Sequence, residues 1–273
     1  MAFFRGDIYS YELDKMTSLN VYLPHDDLAR CQITKPMSTL ILLHGLQGNN
    51  SFWTRYSSVE RYAQEHNIAL VIPEAEMSLY ADMRCGLAYG RYIGEELKQI
   101  VQAMFHIPTD REHYGIAGFS MGGYGALRLA LCYPEIFGKC MSICGAMALG
   151  SEAHLSELRV WRDPGQKAYY DPDEELMRTF RKSSVSAYGP ELPCLPENDL
   201  SQLTRAAVQT QVSVPQILLT CGTEDFTYGD NCRYDALLTE LGIPHQFYTW
   251  PGEHNWAFVD ESVCQYLRFF AEQ

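Results

Sequence analysis

The chain has 273 residues, of which 47% are hydrophobic and 20% are charged. These proportions are near the averages of soluble globular proteins, and they argue against a disordered or fibrous chain. The 21 lysines and arginines stand against 34 aspartates and glutamates, and the resulting net charge of −13 argues against a nucleic-acid or anionic-membrane partner, since both require a basic surface.

The cysteines and the amino-terminal residues bear on the compartment of the protein. The nine cysteines include no C-x-x-C pair, and Arg5, Asp7 and Glu12 fall where a secretion signal needs an unbroken apolar run. No stretch of 18 consecutive apolar residues predicts a membrane span. We therefore expect a cytoplasmic protein whose thiols stay reduced.

The hydrophobic pattern predicts strands and helices in alternation. An edge hairpin is expected over residues 7–23, with its polar turn near Asp14–Ser18. Further strands are predicted at residues 39–43, 68–72, 114–119, 138–144, 216–221 and 245–250. Helices are predicted at residues 52–66, 90–106, 121–132, 229–241 and 256–271. This alternation predicts an α/β protein with a mostly parallel, doubly wound sheet that is covered by helices on both faces.

Residues 149–210 interrupt this alternation. They are richer in charge and proline than the rest of the chain, and they are too long for an ordinary connection. We expect residues 1–273 to form a single domain in which residues 149–210 are a cap inserted over one end of the sheet.

A G-x-S-x-G motif at residues 118–122 follows one predicted strand and opens one predicted helix, which is the setting of a nucleophile elbow. Such an elbow strains the backbone of the serine, and flanking glycines prevent collisions with the neighbouring strand and helix. We therefore predict Ser120 as a nucleophile. The alternative is a glycine-rich turn with an ordinary N-cap serine.

A serine nucleophile needs a histidine base, and on a doubly wound sheet that base follows a strand late in the chain. His254 follows the predicted strand 245–250 and is our predicted base. His245 stands at the start of that strand, at the wrong end of the sheet. His154 lies within the insertion, where it is expected to face solvent or substrate.

The base in turn needs an orienting carboxylate, which precedes the histidine and also follows a strand. Asp225 comes directly after the predicted strand 216–221 and is our predicted acid. Glu224 is the main alternative. Asp230 and Asp235 are weaker ones, because they are expected to cap or decorate the following helix.

Two backbone amides are expected to stabilise the oxyanion of a tetrahedral intermediate. The first is the amide of Leu46, after the turn His44-Gly45, and the second is the amide of Met121, the residue after the predicted nucleophile. His44 is expected to bond the backbone of this turn. Cys140 and Cys144 are expected in the core of one strand, and no metal or cofactor motif occurs, so we expect neither a metal nor a cofactor.

Five stretches of the sequence, at residues 42–53, 80–97, 115–131, 219–226 and 250–258, resemble the Putative esterase family. That family includes the esterase D and S-formylglutathione hydrolases, bacterial tributyrin esterases, feruloyl esterases and the antigen 85 mycolyltransferases. The chain is most similar to the tributyrin esterases. S-formylglutathione hydrolases usually carry threonines where this chain has residues 47–50, QGNN.

The resemblance implies an α/β-hydrolase fold with a triad of Ser120, Asp225 and His254, and with oxyanion donors at the backbones of Leu46 and Met121. The function expected from it is a serine carboxylesterase for acetyl to butyryl esters, acting through an acyl-enzyme. The alternatives are an S-formylglutathione hydrolase, a feruloyl or acetyl-sugar esterase, and a non-catalytic binding protein on a hydrolase scaffold. The expected partner is a small-molecule ester, with no nucleic acid and no membrane, and a homo-oligomer stays open.

Overall fold

The computed structural model describes residues 2–24, 38–161 and 172–272. Its strands are β1 (Ala2–Ser10), β2 (Lys15–Leu23), β3 (Ser38–Leu43), β4 (Ile68–Pro73), β5 (Tyr114–Phe119), β6 (Lys139–Ile143), β7 (Gln216–Gly222) and β8 (His245–Trp250). They form one eight-stranded sheet in the order β1-β2-β4-β3-β5-β6-β7-β8. Strand β2 runs antiparallel to β1 and β4, and all other neighbours are parallel, so the predicted mostly parallel sheet is confirmed.

The helices of the described residues are α1 (Phe52–Tyr56), α2 (Val59–Glu65), α3 (Tyr89–Arg91), α4 (Leu97–Phe105), α5 (Met121–Cys132), α6 (Glu152–Val160), α7 (Pro172–Tyr188), α8 (Leu200–Gln209), α9 (Tyr228–Glu240) and α10 (Trp256–Tyr266). A π-helical segment, Tyr92–Glu96, joins α3 to α4. Single 3-10 turns occur at Arg111–His113, Pro196–Asn198 and Leu267–Phe270.

The central strands are buried on both faces because helices cover each face. Every residue of β3, β4 and β5 is buried. Along β3, Ile41 and Leu43 belong to one apolar cluster, and Leu40 and Leu42 belong to the other. Since successive side chains of a strand point to opposite faces, the two clusters lie on opposite sides of the sheet.

The amino-terminal hairpin is confirmed, but the predicted position of its turn is wrong. Ser10 pairs with Lys15, so the turn occupies residues 11–14 and not residues 14–18. Asp14 has a φ of 49°, a left-handed conformation that aspartate tolerates better than most residues. The Tyr9 hydroxyl donates a hydrogen bond of 2.5 Å to the Asp14 carboxylate and fixes this early turn.

The predicted helix at residues 52–66 is two short helices, α1 and α2. Ser57 is extended between them, with a φ of −137° and a ψ of 168°. Its hydroxyl donates to the Trp53 carbonyl over 2.6 Å. A side chain thus provides the hydrogen bond that this carbonyl, near the carboxyl end of α1, would otherwise lack. Serine competes with the helical backbone for hydrogen bonds in this way, and the apolar periodicity does not show it.

Two other helices also differ from their predicted form. The helix expected at residues 90–106 contains the π-helical segment Tyr92–Glu96. Gly94 lies in that segment against the Tyr133 ring, where a Cβ atom would overlap the ring. The helix expected at residues 256–271 ends at Tyr266 and continues as the 3-10 turn Leu267–Phe270.

The chain between β6 and β7 forms α6, α7 and α8, although these two strands are paired neighbours in the sheet. Helix α8 packs against α5 and α9. Helix α7 reaches the turn after β3, where Gln47 Nε2 donates to Thr179 Oγ1 over 3.1 Å. Residues 162–171 of the predicted cap lie outside the described residues, and the division into one domain with a cap stays a prediction. Among the helices that the structure describes, none has the length and apolar character needed to cross a bilayer.

Candidate active site

The predicted site residues follow the carboxyl ends of four strands that run in the same direction. Leu46 follows β3, Ser120 follows β5, Asp225 follows β7 and His254 follows β8. The carboxyl ends of parallel strands meet at one edge of a sheet, and ligands bind there near the point where the strand order reverses. The fold therefore brings these positions to the same edge.

Ser120 occupies a strained backbone conformation between β5 and α5. Its φ is 58° and its ψ is −117°. Its amide donates to the Ile143 carbonyl over 3.0 Å, and its carbonyl accepts from the amides of Tyr124 and Ala146, each over 3.1 Å. A non-glycine residue in such a conformation persists only when its surroundings over-determine it, and such strain clusters at functional sites.

The glycines of the motif allow this turn to pack closely. A Cβ atom at Gly118 would overlap the carbonyl group of Gly122, and a Cβ atom at Gly122 would overlap the carbonyl of Leu43. Both collisions are with backbone atoms, which cannot move aside as a flexible side chain can. The glycines therefore permit the close approach of β5, α5 and β3 that the sharp turn requires.

Asp225 and His254 are joined directly. His254 Nδ1 donates to Asp225 Oδ2 over 2.7 Å. The other carboxylate oxygen of Asp225 accepts from the amide and the hydroxyl of Thr227, each over 2.8 Å. Burial by itself raises the pKa of Asp225, but the hydrogen bond and charge interaction with His254, together with hydrogen bonds from Cys144 and Thr227, hold that pKa below its usual value.

The imidazole of His254 lies between two aromatic rings. Its centroid is 4.6 Å from the Phe119 ring and 4.5 Å from the Phe226 ring. Phe119 immediately precedes Ser120, so the contact places the imidazole beside the elbow. Since Nδ1 donates to the carboxylate, Nε2 carries the free lone pair of the neutral ring. Within the described residues, Ser120 Oγ forms no hydrogen bond with His254.

The alternative candidates for the acid and the base lie elsewhere. Glu224 is exposed, and Asp230 is paired with Arg233. His245 Nε2 lies 2.9 Å from the Asp235 carboxylate, so these two residues bond each other away from the elbow. Of the four carboxylates weighed from the sequence, Asp225 is the one that contacts His254.

The turn after β3 fixes the direction of the Leu46 amide. The carbonyl of Gly45 accepts from His44 Nδ1 over 2.9 Å and from the Gly48 amide over 3.1 Å. A trans peptide places its C=O and its N–H on opposite sides, so the Leu46 amide points away from both donors. A Cβ atom at Gly45 would lie 3.5 Å from Ser120 Cβ, so this peptide is next to the elbow.

The second predicted donor, the Met121 amide, begins helix α5 and is therefore one of its unpaired amino-terminal amides. In the part of the chain that the structure describes, neither it nor the Leu46 amide donates to a backbone or side-chain acceptor. Both amides are thus available to an oxygen atom at the elbow.

Two residues at this site escaped the sequence analysis. Thr227 follows Asp225 by two positions, a spacing at which an aspartate commonly accepts from a nearby backbone amide, and this signal could have found it. Cys144 was assigned to the core of a strand, and it is buried in the core, but it follows β6 directly, with a φ of 45°, and its sulfur lies within 4.8 Å of the Asp225 carboxylate. Nothing in the sequence pattern distinguishes it from Cys140, which is a core residue of β6.

Cys144, Asp225 and His254 place their donor atoms within 4.8 Å of one another, as the ligands of a metal ion would be. However, a hydrogen bond with Cys221 and burial raise the pKa of the Cys144 thiol, and metal ligation needs the thiolate. The Asp225 and His254 atoms are already bonded to each other. We therefore do not assign these three groups to a metal centre.

Comparison with known proteins agrees with the geometry. The family described as Putative esterase matches residues 10–261. An acetyl esterase of Caldicellulosiruptor saccharolyticus is 27% identical to this chain over 277 residues, a match that covers 100% of this chain and 99% of that protein. The predicted resemblance to this family is confirmed.

Two solved structures from Staphylococcus aureus are also similar. The fluorophosphonate-binding serine hydrolase FphF, solved with substrate bound, is 29% identical with a TM-score of 0.78, covering 100% of this chain and 99% of that one. The S-formylglutathione hydrolase FrmB is 29% identical with a TM-score of 0.76, covering 99% of each chain. The sheet and its helices match those of serine hydrolases, so the predicted α/β-hydrolase fold is confirmed.

Proposed function

This chain belongs to the Putative esterase family and is a hydrolase that acts on carboxylic esters, and we propose that Ser120 is its nucleophile, His254 its general base and Asp225 the acid that orients His254. The observation that carries the proposal is the 2.7 Å hydrogen bond from His254 to a buried Asp225, formed beside the strained elbow of Ser120. A protein that only bound esters would need neither the strain nor the hydrogen bond of a histidine to a buried carboxylate.

In the proposed mechanism, Ser120 Oγ attacks the ester carbonyl while His254 Nε2 takes the serine proton. The negative charge that develops on the carbonyl oxygen is stabilised by the amides of Leu46 and Met121. His254 then gives the proton to the alcohol oxygen, and the ester bond breaks to leave an acyl-Ser120 intermediate. Water, deprotonated by His254, releases the acid and restores Ser120. The chain supplies every group of this reaction, so it needs no metal or cofactor.

We further propose that the acyl groups are short, from acetyl to butyryl, and that the protein acts in the cytoplasm. The acetyl esterase relative supports the acyl length, since it matches the whole chain. We place α6 and α7 as a cap of a single domain, since α7 touches Gln47, beside the proposed oxyanion turn.

A second candidate is a thioester hydrolase that acts on S-formylglutathione. The 29% identity to the S-formylglutathione hydrolase FrmB favours it. The two candidates share the proposed nucleophile, and they differ in the leaving group. Comparing kcat/KM on S-formylglutathione with kcat/KM on simple acetate esters separates them, and we expect the acetate esters to give the higher value.

The proposed nucleophile is tested by Ser120→Ala with p-nitrophenyl acetate as substrate. We expect kcat to fall by roughly 10⁴-fold or more, because the variant retains binding and the oxyanion donors but loses the attacking atom. Ser156→Ala, at an exposed position of α6, is the matched control and should keep full activity. A fluorophosphonate probe should label the parent protein and not Ser120→Ala. Activity near that of the parent would remove Ser120 from its proposed role.

A further inference from the structure

Strand β1 lies at one edge of the sheet, and within the described residues it has a neighbouring strand on one side only. It is nine residues long and pairs with β2 along its whole length without a bulge. Alternate residues of an edge strand direct their backbone N–H and C=O groups away from the neighbouring strand. The outer side of β1 is thus a regular row of donors and acceptors with which a further strand can pair.

Natural proteins usually protect such an edge, and β1 lacks the common protections. Lysine, proline and bulges disrupt pairing at an edge, and β1, with the sequence AFFRGDIYS, contains none of them. Its side chains include exposed aromatic groups, since Phe3, Phe4 and Tyr9 are 44%, 48% and 46% exposed. A long, regular edge with apolar side chains promotes aggregation unless a specific partner covers it.

The sequence of β1 is symmetric in chemical character about Gly6. Going outward from it, the paired positions are Arg5 and Asp7 with opposite charges, Phe4 and Ile8, both apolar, and Phe3 and Tyr9, both aromatic. When two copies of the strand run antiparallel with Gly6 opposite Gly6, each residue faces its counterpart from the other side of the glycine. Arg5 then lies opposite Asp7 of the second copy, and Phe4 lies opposite Ile8.

Within one chain, Arg5 and Asp7 have no charged counterpart. Both are exposed, and in the pairing with β2 Arg5 lies opposite Asn20 and Asp7 opposite Ser18. Neither forms an ion pair with another described residue. A second copy supplies the counterpart twice, because Arg5 of each chain lies opposite Asp7 of the other. Opposite charges that face each other across two strands stabilise the pairing, and like charges oppose it.

The same two charges disfavour the neighbouring registers of the pairing. A shift by two residues in one direction places Arg5 opposite Arg5, and a shift in the other direction places Asp7 opposite Asp7. Either shift therefore brings like charges together on the axis between the two strands. The register with Gly6 on the two-fold axis is the one that the sequence of β1 favours.

We propose that two copies of this chain form a dimer through antiparallel pairing of their β1 strands, centred on Gly6, so that their sheets join into one continuous sheet. Main-chain hydrogen bonds hold the two edges together, and the two Arg5–Asp7 pairs select the register. Phe4, which packs against Phe105 at the end of α4 with centroids 5.5 Å apart, extends the apolar contact to the helix layer. Strands β2 and β4 separate β1 from β3, so this interface is independent of the proposed active site.

The test measures the mass of the protein in solution by light scattering and by sedimentation. The parent should have twice the mass of one chain. Arg5→Asp places like charges in both cross-strand pairs, so the dissociation constant of the dimer should rise by about 10- to 100-fold, and Asp7→Arg should have the same effect. Arg268→Asp is the matched control, since it makes the same charge change at an exposed position outside β1, and it should leave the dissociation constant unchanged.

The two variants together test the register. When Arg5→Asp and Asp7→Arg are mixed, both cross-strand pairs join opposite charges again, so a heterodimer should form although each variant dimerises weakly by itself. The double variant, Arg5→Asp with Asp7→Arg in one chain, should regain the dimer of the parent, because it exchanges the two charges without removing them. Circular dichroism checks that each variant is folded.

A parent that sediments as a monomer at every concentration tested would overturn the inference. Single variants that dimerise as tightly as the parent, or a mixture that forms no heterodimer, would also overturn it. If a single variant does not fold, the parent and the double variant decide, since both must be dimers. All of these results are masses, so they are distinct from failure of the proposed function, which is measured by turnover of esters.

Discussion

The Tyr80 hydroxyl donates a hydrogen bond of 2.6 Å to the main-chain carbonyl of His44. The next carbonyl along the chain, that of Gly45, is bonded by His44 Nδ1. Two consecutive peptide groups of the turn after β3 are therefore fixed, and the second of them carries the Leu46 amide. We propose Tyr80 and His44 as positioning residues, since their hydrogen bonds orient the peptide that carries the proposed oxyanion donor.

The first prediction concerns this hydroxyl. Tyr80→Phe removes the donor and leaves a buried carbonyl unsatisfied, so we expect a loss of about 1–3 kcal/mol in the free energy of unfolding. We also expect a lower kcat with little change in KM, because the oxyanion is formed only during the reaction. Tyr114→Phe is the matched control, since the Tyr114 hydroxyl is buried and has no partner among the described residues. Denaturant unfolding and steady-state kinetics on both variants would refute the prediction if they gave equal results.

The second prediction separates two adjacent carboxylates. Asp225→Asn keeps the shape of the side chain but removes the charge that selects the His254 tautomer, so we expect kcat to fall by roughly 10³- to 10⁴-fold. Glu224→Gln, one residue earlier and exposed, should keep kcat within about twofold, as changes at an exposed position usually have small effects. Initial rates on p-nitrophenyl acetate measure both. A large loss in Glu224→Gln with a small one in Asp225→Asn would exchange the two roles.

The third prediction concerns the pH dependence of stability at Glu74. Burial raises the pKa of this carboxyl, but its hydrogen bond and charge interaction with His44, together with the amides of Glu76 and Asn50, hold the pKa below the ordinary value of 4.5. The carboxylate therefore stabilises the fold fully above pH 4.5, and this contribution is lost as the pH falls through the lowered pKa.

The measurement is the difference in the free energy of unfolding between the parent and Glu74→Gln. It should be largest at neutral pH and should shrink towards zero as the pH is lowered from about 5 to about 3. Glu76→Gln, at an exposed position whose carboxylate pairs with Lys15, should give a smaller difference at neutral pH. A difference for Glu74→Gln that grows on acidification would contradict the assigned direction of the pKa shift.

The fourth prediction compares two glycines. Gly122→Ala places a Cβ atom on the Leu43 carbonyl, so we expect a destabilisation of about 1–3 kcal/mol and a displaced elbow with a lower kcat. Gly6→Ala, in the exposed strand β1, meets no atom within 4 Å and should leave stability and kcat nearly unchanged. Thermal unfolding and kinetics measure both effects. Equal behaviour of the two variants would show that the crowding at Gly122 is relieved without cost.

The parts of the fold that the sequence predicts well are those in which local pattern and packing agree. Strand β5, Ser120 and helix α5 fall where they were expected, because an apolar run, a set of crowded glycines and a buried helix follow one another without a break. The break at Ser57 was missed, since a single hydroxyl decides it. The shift of the hairpin turn was missed for a similar reason, a side-chain contact between Tyr9 and Asp14.

In the candidate site, too, some features follow from the local sequence pattern and others depend on side-chain contacts. The order of Ser120, Asp225 and His254 along the chain is visible in the sequence because each follows a strand. The position of Cys144 beside Asp225 depends on contacts between residues far apart in the chain. Such contacts have no local pattern, and only the three-dimensional structure shows them.

The path of the chain between β6 and β7 has a consequence for how relatives of this protein can diverge. Ser120 precedes this segment, and Asp225 and His254 follow it, while its two flanking strands are hydrogen-bonded neighbours. Insertions, deletions and substitutions in α6 and α7 can therefore accumulate without shifting the proposed nucleophile, acid or base. The proposed reacting residues and the helices α6 and α7 are encoded in separate stretches of sequence, so the helices can change while the proposed triad stays constant.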